Sequence, residues 1–336
     1  MHSDNSFIRE VFRWAVAGAL IAAIAIGLSF AAYAAPKADF DQWMKELRQE
    51  AISKGIRQEI LDAALINVKP IPRVVELDRK QPEFTLTFND YQRRVVPKSR
   101  VEKARKKLHE NKALLEAAAK KYGVQPRFIV ALWGIETDFG RVTGGFKVVD
   151  ALVTLAYDGR RSAYFRKELF NALKILNEGH IAPKDMMGSW AGAMGQCQFM
   201  PSSFLRFAQD SNDDGHKNIW TDKSDVFASA ANYLSSSGWK GDQTWGRPVE
   251  LPEGFDLSLA GLKTRKRLSE WQNLGVRRLG GRDLPTRDLP ASLVLGDGKK
   301  GPPFLVYNNY RTILKWNRST YFAVAVGTLA DRMVGR

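Results

Sequence analysis

The segment "QPRFIVALWGIETDFG", residues 125–140, predicts an amphipathic helix that carries a carboxylate on its apolar face. Apolar residues recur there at three- and four-residue spacing, and Pro126 suits a first helical turn because its missing N–H would be unpaired there anyway. Glu136 lies four residues after Leu132 and three after Trp133, so its carboxylate shares their face. A desolvated carboxylate is costly unless it is protonated or paired. We therefore expect Glu136 either to have a polar partner or to line a cleft where it performs chemistry.

The chemistry open to Glu136 is that of an acid kept protonated by its surroundings. A carboxylic acid in an apolar pocket has a raised pKa, which a general acid needs if it is to protonate a glycosidic oxygen near neutral pH. The alternative is a structural glutamate paired with an arginine or a backbone N–H. Asp138 follows after only two residues and points elsewhere, so this helix does not supply an obvious acid–base pair.

Composition limits the class of protein. The chain has 336 residues, of which 44% are hydrophobic, so it can bury a real core in one large or two smaller domains. Cys197 is the only cysteine, which excludes an intramolecular disulfide. The four histidines show no zinc-ligand spacing. The fold must therefore be held together by its core.

The net charge of +15 suggests an anionic partner, which could be a nucleic acid, a membrane surface or an acidic polymer. Local clusters such as "RVEKARKK" and "KTRKR" lie within helical patterns, and we interpret them as solvated helix faces. Zinc-finger spacing and an aromatic RNA-recognition strand are both absent from the sequence. We therefore expect no nucleic-acid partner.

The N-terminal segment predicts export. Arg9 and Arg13 precede the apolar stretch "WAVAGALIAAIAIGLSFAAYA", and Ala32-Tyr33-Ala34 fits a signal-peptidase site, which gives a mature chain that begins near Ala35. The alternative is an uncleaved membrane anchor, because the apolar run is near the length that spans a bilayer. Since no cysteine lies near the site, a lipoprotein is not expected.

The remaining sequence is mainly helical with a small β region. We predict helices in "FDQWMKELRQEAISKG" and "SRVEKARKKLHENKALLEAAAKKYG", and a connecting segment in "QPEFTLTFNDYQRRVVP" between them. "ASLVLGDGKKGPPFLVY" predicts a β-hairpin around its Gly-Asp-Gly turn, and "KTRKRLSEWQNLG" predicts one helix. The fold class is therefore mainly α (α+β). The predicted parts are a signal peptide at 1–34, a helical part at 35–125, a helical core at 126–240, a β-containing part at 241–305 and a helical end at 306–336.

The glycine-rich stretch "GSWAGAMGQCQFMPSSF", residues 188–204, is a candidate ligand-binding segment. Glycine permits tight turns and close approach of the backbone to a ligand. Neutral polar groups on Ser189, Gln196 and Gln198 stand beside Trp190 and other apolar side chains, a combination that suits the hydroxyl edges and apolar faces of sugars. The alternative is a tightly packed helix–turn–helix corner.

The stretch "DSNDDGHKNIWTDKSD", residues 210–225, is a candidate cation loop. Asp210, Asn212 and Asp214 occupy the first, third and fifth positions of an EF-hand-like loop, and His216 would ligate through its backbone carbonyl. The twelfth position is a threonine, so we expect Asp225 to complete the shell. Because these ligands are all oxygen, the predicted ion is a structural Ca²⁺. The alternatives are a polar turn for the loop and a first-turn helix charge for Asp225.

Together, "GIETDFG", "AGAMGQCQFMPSSF" and "DSNDDGHKNIW" resemble, in this order, the catalytic helix, cleft signature and EF-hand-like loop of the lytic murein transglycosylases of the soluble and membrane-bound B type. "LVTLAYDGRRSAYFRKEL" and "YNNYRTILKWNRSTYFAVAV" also match. The resemblance covers residues 38–334, and the glycine-rich signature is its most specific element.

The resemblance implies a lysozyme-like core flanked by a helical domain and a small β domain, with Glu136 as the single catalytic acid/base. It implies a glycan-binding groove and the metal loop already described. The groove residues that it implies are Ser189, Trp190, Gln198, Tyr233, Tyr310 and Trp316. Two positions depart from the family pattern: Cys197 stands where small or polar residues are usual, and Trp316 stands where tyrosine is expected.

The implied activity is non-hydrolytic cleavage of peptidoglycan between N-acetylmuramic acid and N-acetylglucosamine, with formation of 1,6-anhydro ends. It needs no catalytic cofactor. The predicted signal peptide indicates a periplasmic location. We expect the protein to act there as a monomer on peptidoglycan strands, with cell-wall synthesis or remodelling proteins as further partners. The alternatives are a hydrolytic muramidase and a non-catalytic peptidoglycan-binding protein.

Overall fold

The computed structural model describes residues 39–80, 86–299 and 301–335. The predicted signal peptide at 1–34 lies outside the described residues. The described chain divides into two compact units, each built from two segments. The first unit comprises 39–80 and 140–226, and the second comprises 86–139 and 227–335.

Helices dominate both units, as the fold class predicts. In chain order they are α1 (Phe40–Ser53), α2 (Gln58–Ala64), α3 (Pro72–Lys80), α4 (Phe88–Val95), α5 (Lys98–Glu110), α6 (Lys112–Tyr122), α7 (Pro126–Thr137), α8 (Val148–Asp158), α9 (Ser162–Asn177), α10 (Pro201–Phe207), α11 (Lys223–Ser236), α12 (Leu268–Asn273), α13 (Asn308–Trp316) and α14 (Thr320–Arg332). The strands are β1 (Phe146–Lys147), β2 (Met187–Gly188), β3 (Gly246–Glu250), β4 (Lys266–Arg267), β5 (Arg277–Arg278), β6 (Pro290–Lys299) and β7 (Pro303–Val306). Among the described helices, none combines the length and the apolar character that a membrane span requires.

Three predicted elements differ from the structure. The single long helix predicted before Gly123 is two helices, because Asn111 leaves helical geometry and its amide donates to the Lys107 carbonyl. The predicted connecting segment contains α4, whose first turn is capped by the Thr87 hydroxyl. The third is "KTRKRLSEWQNLG", where only α12 is helical, because the residues before it pair as strand β4 with β6.

The first unit is built around the pair α8 and α9. Nearly every residue of α8 is buried, because its sequence is apolar on all faces. The helix α9 also packs against α2 and α10. Glu168 on α9 is buried and accepts hydrogen bonds from the Ser202 backbone N–H (2.8 Å) and hydroxyl (2.7 Å), which satisfies the otherwise open amino end of α10.

The second unit is built around α7, which packs against α5, α6 and α14. Every residue from Arg127 to Thr137 is buried, so the predicted amphipathic helix is in fact buried on all sides. Such a helix needs its few charged groups paired. Arg127, in its first turn, meets this need through Asp331 on α14 at 2.8 Å.

A five-stranded antiparallel sheet completes the second unit, with the order β4-β6-β7-β3-β5. The predicted hairpin is confirmed as β6 and β7, which pair Leu293 with Leu305. The strand β6 extends through the Gly-Asp-Gly sequence that was expected to form the turn. Trp271 of α12 packs on the inner face of this sheet, with Leu293 and Leu305 in the same cluster.

Candidate active site

Glu136 occupies the last turn of α7, and its side chain is buried, with 5% of the residue exposed. The neighbouring apolar residues of the helix fix its position, because α7 is enclosed by the second unit. Trp316 at the end of α13 donates a hydrogen bond from its indole Nε1–H to Glu136 Oε1 at 2.8 Å. The expectation that a buried Glu136 has a polar partner is therefore confirmed, and the partner lies 180 residues away in the chain.

Tyr233 on α11 supports this contact. Its ring meets the Trp316 indole edge-on, with 4.7 Å between the ring centroids. Its hydroxyl donates to the Lys315 carbonyl at 2.6 Å, next to Trp316 in the chain. The tyrosine thus holds the indole by ring packing and by anchoring the backbone of α13. The structure brings together three of the predicted residues: Glu136, Tyr233 and Trp316.

The indole N–H has a defined electrostatic effect on the carboxyl group. An indole can donate a hydrogen bond but cannot accept a proton. Its hydrogen bond to Glu136 Oε1 favours an electron pair on that oxygen, so a proton on the neutral acid is better placed on Oε2. Hydrogen bonds of this kind strengthen when the acceptor becomes ionised. Trp316 therefore stabilises the carboxylate without competing for its proton.

Asp138, the acid closest in sequence to Glu136, has a separate role. Its carboxylate lies 3.0 Å from Lys103 Nζ and 4.0 Å from Arg100 Nε, both on α5. Its backbone is left-handed, with φ +50°, and it ends α7. The sequence-based conclusion that Asp138 does not pair with Glu136 as a second catalytic acid is supported by these ion pairs.

The end of α7 is shaped by a close contact. Phe139, also left-handed at φ +63°, folds its ring back onto the helix against Trp133, with 5.5 Å between ring centroids. Gly134 leaves the space for this, because a Cβ atom there would lie 2.7 Å from the Phe139 ring. Backbone strain of this kind clusters at functional sites and is held by the surrounding packing.

Tyr310 lies elsewhere in the second unit. Its side chain is fully buried, with 0% exposure, and its hydroxyl donates to Thr320 Oγ1 at 3.2 Å. Burial raises the pKa of its hydroxyl. In this conformation a contact between Tyr310 and a glycan would require the side chain to become exposed, so that role stays a prediction.

The glycine-rich stretch forms turns and short bridges in the first unit, which differs from a helix–turn–helix corner. Met194 bridges to Gly188 and to Phe199. Ser189 is fully buried, and its hydroxyl accepts hydrogen bonds from the backbone N–H groups of Ala191 (3.2 Å) and Ala193 (3.0 Å). Ser189 therefore closes the turn that presents Trp190, whose side chain is half-buried.

Gln198 has an unusual geometry in the same stretch. Its backbone is left-handed at φ +50°, and its amide Nε2 donates to the carbonyls of Thr143 and Gly195, each at 2.9 Å. Its Oε1 atom is buried and has no hydrogen-bond partner within the part of the chain that the structure describes. An unsatisfied buried acceptor is costly and suits a ligand that supplies a hydroxyl or amide donor.

Two further residues of this stretch make contacts within the first unit. Gln196 donates from its side chain to the Trp220 carbonyl at 2.8 Å. Cys197 is buried, and its sulfur lies 3.3 Å from the Val226 carbonyl oxygen. The thiol at this position is therefore a small packing group inside the first unit.

The predicted cation loop is organised by its own carboxylates. Asp210 accepts hydrogen bonds from the backbone N–H groups of Asp214 (3.2 Å) and Gly215 (2.8 Å). Asp214 accepts from the His216 N–H at 2.8 Å, and Asn212 donates to Asp214 Oδ2 at 3.0 Å. These hydrogen bonds link Asp210, Asn212, Asp214 and the backbone of His216 within the loop, and their role as cation ligands stays a prediction.

Asp225, in the first turn of α11, holds the two ends of the loop. Its carboxylate accepts from the Ser211 N–H and the Asn218 N–H, each at 2.7 Å, and it is fully buried. Burial raises the pKa of Asp225 to about 6, and the nearby charges of Asp222 and Asp210 add to the increase. The two backbone hydrogen bonds act in the opposite direction and lower the pKa. Negative charge is therefore concentrated here.

The metal-ligating atoms that the loop offers fit a hard cation in chemical type, because all of them are carboxylate, amide or carbonyl oxygens. Within the described residues, no group of three or more His, Cys, Asp or Glu side chains is already drawn together in metal-binding geometry. Ligation would therefore require carboxylates such as Asp210 and Asp214 to turn from backbone N–H groups towards an ion.

The direct contact between Trp316 and Glu136 was not predicted from the sequence. The family resemblance placed Trp316 among the glycan-binding positions, and no local pattern links two residues 180 positions apart. The ion pairs of Asp138 with α5 were not predicted either, because the basic residues of that helix were interpreted as a solvated face.

Comparison with known proteins identifies the class. Residues 39–331 match the Transglycosylase SLT domain family, and the chain belongs to it. The membrane-bound lytic murein transglycosylase B of Escherichia coli (strain K12) is 37% identical over 233 residues, which are 65% of this chain and 59% of that protein. The chain thus matches this curated relative over about 59% of the relative's length.

Solved structures of similar proteins confirm the fold. SltB3 from Pseudomonas aeruginosa, in complex with NAG-anhNAM-pentapeptide, is 44% identical with a TM-score of 0.86, over 89% of this chain and 80% of that one. The Escherichia coli lytic transglycosylase SLT35, in complex with calcium, is 29% identical with a TM-score of 0.74, over 89% of this chain and 94% of that one. The predicted lytic murein transglycosylase B family and the mainly α, lysozyme-like fold are therefore confirmed.

Proposed function

We propose that this protein is a peptidoglycan lytic transglycosylase, which cuts glycan strands between N-acetylmuramic acid and N-acetylglucosamine without using water. The observation that carries the proposal is Glu136, a buried carboxyl group held by the Trp316 indole N–H in a chain of this family. The relative SltB3 was crystallised with a product-like fragment, NAG-anhNAM-pentapeptide. The net charge of +15 suits a polymer that carries peptide and lactyl carboxylates.

In the first step, Glu136 acts as general acid. Its proton passes to the oxygen that bridges muramic C1 to the next sugar, and the C1–O bond breaks. The leaving sugar departs with a free hydroxyl group, and positive charge develops at C1. Glu136 becomes a carboxylate, which the Trp316 N–H stabilises through Oε1.

In the second step, the same residue acts as base. The Glu136 carboxylate accepts the proton of the muramic C6 hydroxyl, and the C6 oxygen forms a bond to C1. This closes the 1,6-anhydro ring and returns Glu136 to its protonated form, so that protons and bonds balance over the cycle. Attack from within the same sugar has a high effective molarity, so no second carboxylate is needed to activate water. The ion pairs that hold Asp138 agree with this single-acid scheme.

We also propose that the predicted groove residues contact the glycan: Ser189, Trp190, Gln198, Tyr233, Tyr310 and Trp316. The best support is the buried, unpartnered Oε1 of Gln198, which could accept from an N-acetyl N–H or a sugar hydroxyl. The half-buried Trp190 offers a flat apolar surface for a sugar face.

For the loop at 210–225 we propose a structural Ca²⁺ held by Asp210, Asn212, Asp214, the His216 carbonyl and Asp225. Its oxygen donors and its concentrated negative charge support this, as does the relative SLT35, which was crystallised in complex with calcium. The ion would neutralise the loop charge and fix the start of α11. It takes no part in the chemistry proposed for Glu136.

We further propose that the protein is exported to the periplasm and acts there as a monomer beside cell-wall synthesis or remodelling proteins. A curated relative is a membrane-bound enzyme of murein, which agrees with action at the cell wall. The predicted signal peptide at 1–34 lies outside the described residues and supports export from sequence alone.

The variant Glu136→Gln tests the proposal. It keeps the size of the side chain and its acceptor oxygen but removes the transferable proton. Loss of general acid–base catalysis predicts a fall in kcat of about 100-fold or more on purified peptidoglycan, with an unchanged melting temperature. The matched control is Asp138→Asn, which removes a charge two residues away and should retain activity within about tenfold, as expected for a group outside the reaction. Full activity of Glu136→Gln would reject Glu136 as the catalytic acid.

A further inference from the structure

A cavity of about 810 Å³ lies in the second unit, lined by residues of α4, α14, β3, β5 and β7. Glu136, Trp316 and the predicted groove residues are not among its lining residues. Its volume is in the range of sites that enclose small ligands. None of the roles assigned above uses this cavity.

Arginine side chains give the cavity its charge. Arg247 on β3, Arg278 on β5, Arg282 and Arg332 all line it. Within the described chain, none of the four has a carboxylate partner within ion-pair distance. The cavity therefore concentrates unneutralised positive charge, unlike the surface arginines that are paired with neighbouring acids, such as Arg48 with Asp62.

Three of these arginines are held in a way that leaves their terminal nitrogens for a ligand, whereas Nη1 of Arg332 donates to the Val96 carbonyl at 3.4 Å. The Nε–H of Arg247 donates to the Tyr307 hydroxyl at 2.8 Å, and that of Arg278 donates to the Asp283 carbonyl at 2.5 Å. The Nε–H of Arg282 donates to the Leu279 carbonyl at 3.3 Å. In each case the contact positions the guanidinium group while its terminal N–H groups stay available for a carboxylate.

Asp331 is the one acid among the described lining residues, and it should not repel an anionic ligand. Asp331 is paired with Arg127 at 2.8 Å, and its other oxygen accepts the Trp245 indole N–H at 2.9 Å. Its charge is therefore neutralised within the protein. The same contact fixes Trp245 in the wall of the cavity.

The walls between the arginines are apolar. Phe88, Trp245 and Phe304 contribute buried aromatic surface, and the ring of Phe304 contacts the other two. Leu279 lies between Arg278 and Arg282 in the chain and is 48% exposed, which is unusual for a large hydrophobic residue. The ligand should therefore combine anionic groups with small apolar ones.

Gln92 on α4 offers a buried acceptor, which calls for a ligand with a hydrogen-bond donor. Its amide Nε2 donates to the Tyr321 carbonyl at 2.9 Å, which fixes the orientation of the amide group. Its Oε1 is buried and has no hydrogen-bond partner among the described residues, although Gln92 lines the cavity. A ligand that supplies an N–H group would satisfy this acceptor.

We propose that this cavity binds the peptide stem of peptidoglycan, through the stem's carboxylates, an amide N–H and its small aliphatic side chains. A peptide combines these three features, whereas a phosphate or a bare carboxylate ion lacks the N–H and the apolar groups. The proposal rests on the proposed function, because it assigns the cavity a second part of the same polymer. The cavity would then be a second binding site for peptide-bearing strands, separate from the bond that Glu136 cuts.

Binding of a free stem pentapeptide by the full chain tests the proposal, with isothermal titration calorimetry as the measurement. The variant Arg278→Gln/Arg282→Gln removes two guanidinium groups and should weaken binding about tenfold or more. Leu279→Glu is a second variant at an exposed position, where folding is little affected, and its charge should repel the peptide. The control Lys263→Gln/Arg265→Gln removes two exposed charges of the same unit outside the cavity and should leave binding within about twofold.

Equal affinity of the wild type and both cavity variants would overturn the proposal. Displacement of the pentapeptide by an equal concentration of inorganic phosphate would also overturn it, since the cavity would then be a simple anion site.

Turnover separates this inference from the proposed function. On peptide-bearing glycan, the Arg278→Gln/Arg282→Gln variant should show a KM raised about tenfold with unchanged kcat, and on glycan stripped of peptides it should match the wild type. An equal effect on both substrates would contradict the inference. If the wild type binds the pentapeptide through the cavity but cleaves neither glycan, the proposed function fails and the inference stands.

Discussion

Two buried carboxylates of this protein, Glu136 and Asp225, have very different surroundings. Glu136 lies at the end of an apolar helix and receives the indole N–H of Trp316. Asp225 lies at the start of α11, receives two backbone N–H groups and has Asp222 and Asp210 nearby. Burial alone therefore does not reveal the role of an acid. The kind of surroundings, an apolar helix with an indole donor or backbone N–H groups with acidic neighbours, distinguishes a group suited to proton transfer from one suited to a cation.

Shortening the side chain of Glu136 should give the largest effect. Glu136→Asp keeps the acid but withdraws it by one methylene from Trp316 and from the position of the glycosidic oxygen. Misplacement of this order predicts a fall in kcat of about 100-fold, with little change in KM. Steady-state kinetics on purified glycan measure this. If the variant keeps more than half of the wild-type kcat, the proton transfer does not depend on the geometry described.

Calcium removal should act on the loop around Asp225. It should lower the free energy of unfolding and leave the reaction at Glu136 unchanged. Ca²⁺ at about 100 times its Kd should add about 2.7 kcal/mol to the free energy of unfolding. The melting temperature, measured by calorimetry, should then fall by about 5–10 °C in excess chelator. At temperatures well below melting, kcat should stay within about twofold. The control Asp214→Asn should lose most of the calcium-dependent shift. An identical melting temperature with calcium and with chelator would exclude a structural ion.

Trp316→Phe should lower kcat at the Glu136 site by a smaller factor than Glu136→Asp does. It removes the N–H donated to Glu136 while keeping an aromatic ring beside Tyr233. One hydrogen bond to a charged group predicts a loss in kcat of about tenfold. Trp316→Tyr keeps a donor and should recover part of kcat. A wild-type kcat in Trp316→Phe would show that the indole acts only by packing.

The sequence predicted this fold and part of the site from local patterns. The 3.6-residue periodicity predicted a helix within residues 125–140, and the structure has one at Pro126–Thr137. The spacing of Asp210, Asn212 and Asp214 predicted a cation loop, and that role stays a prediction. It did not predict that α7 is buried on all sides, because enclosure depends on helices distant in the chain. The breaks at Asn111 and before α12 depend on one side-chain hydrogen bond and on strand pairing, respectively.

The contact between Glu136 and Trp316, like the arginine cavity, could not be predicted for the same reason. Each joins segments that periodicity and motif spacing treat separately. The resemblance to a known family supplied the groove residues, and their glycan contacts stay predictions. The domain boundaries predicted from sequence stay predictions as well, since the two compact units combine separated segments.

The structure of the cleaved ends tests the central claim most directly. Purified peptidoglycan should be digested with the wild-type protein, and the soluble fragments should be analysed by mass spectrometry before and after borohydride reduction. Ring closure by Glu136 predicts muropeptides with 1,6-anhydro ends, which have lost one water relative to the hydrolysis product and resist reduction. Fragments with reducible muramic acid ends, two mass units heavier after borohydride treatment, would identify a hydrolase and contradict the account.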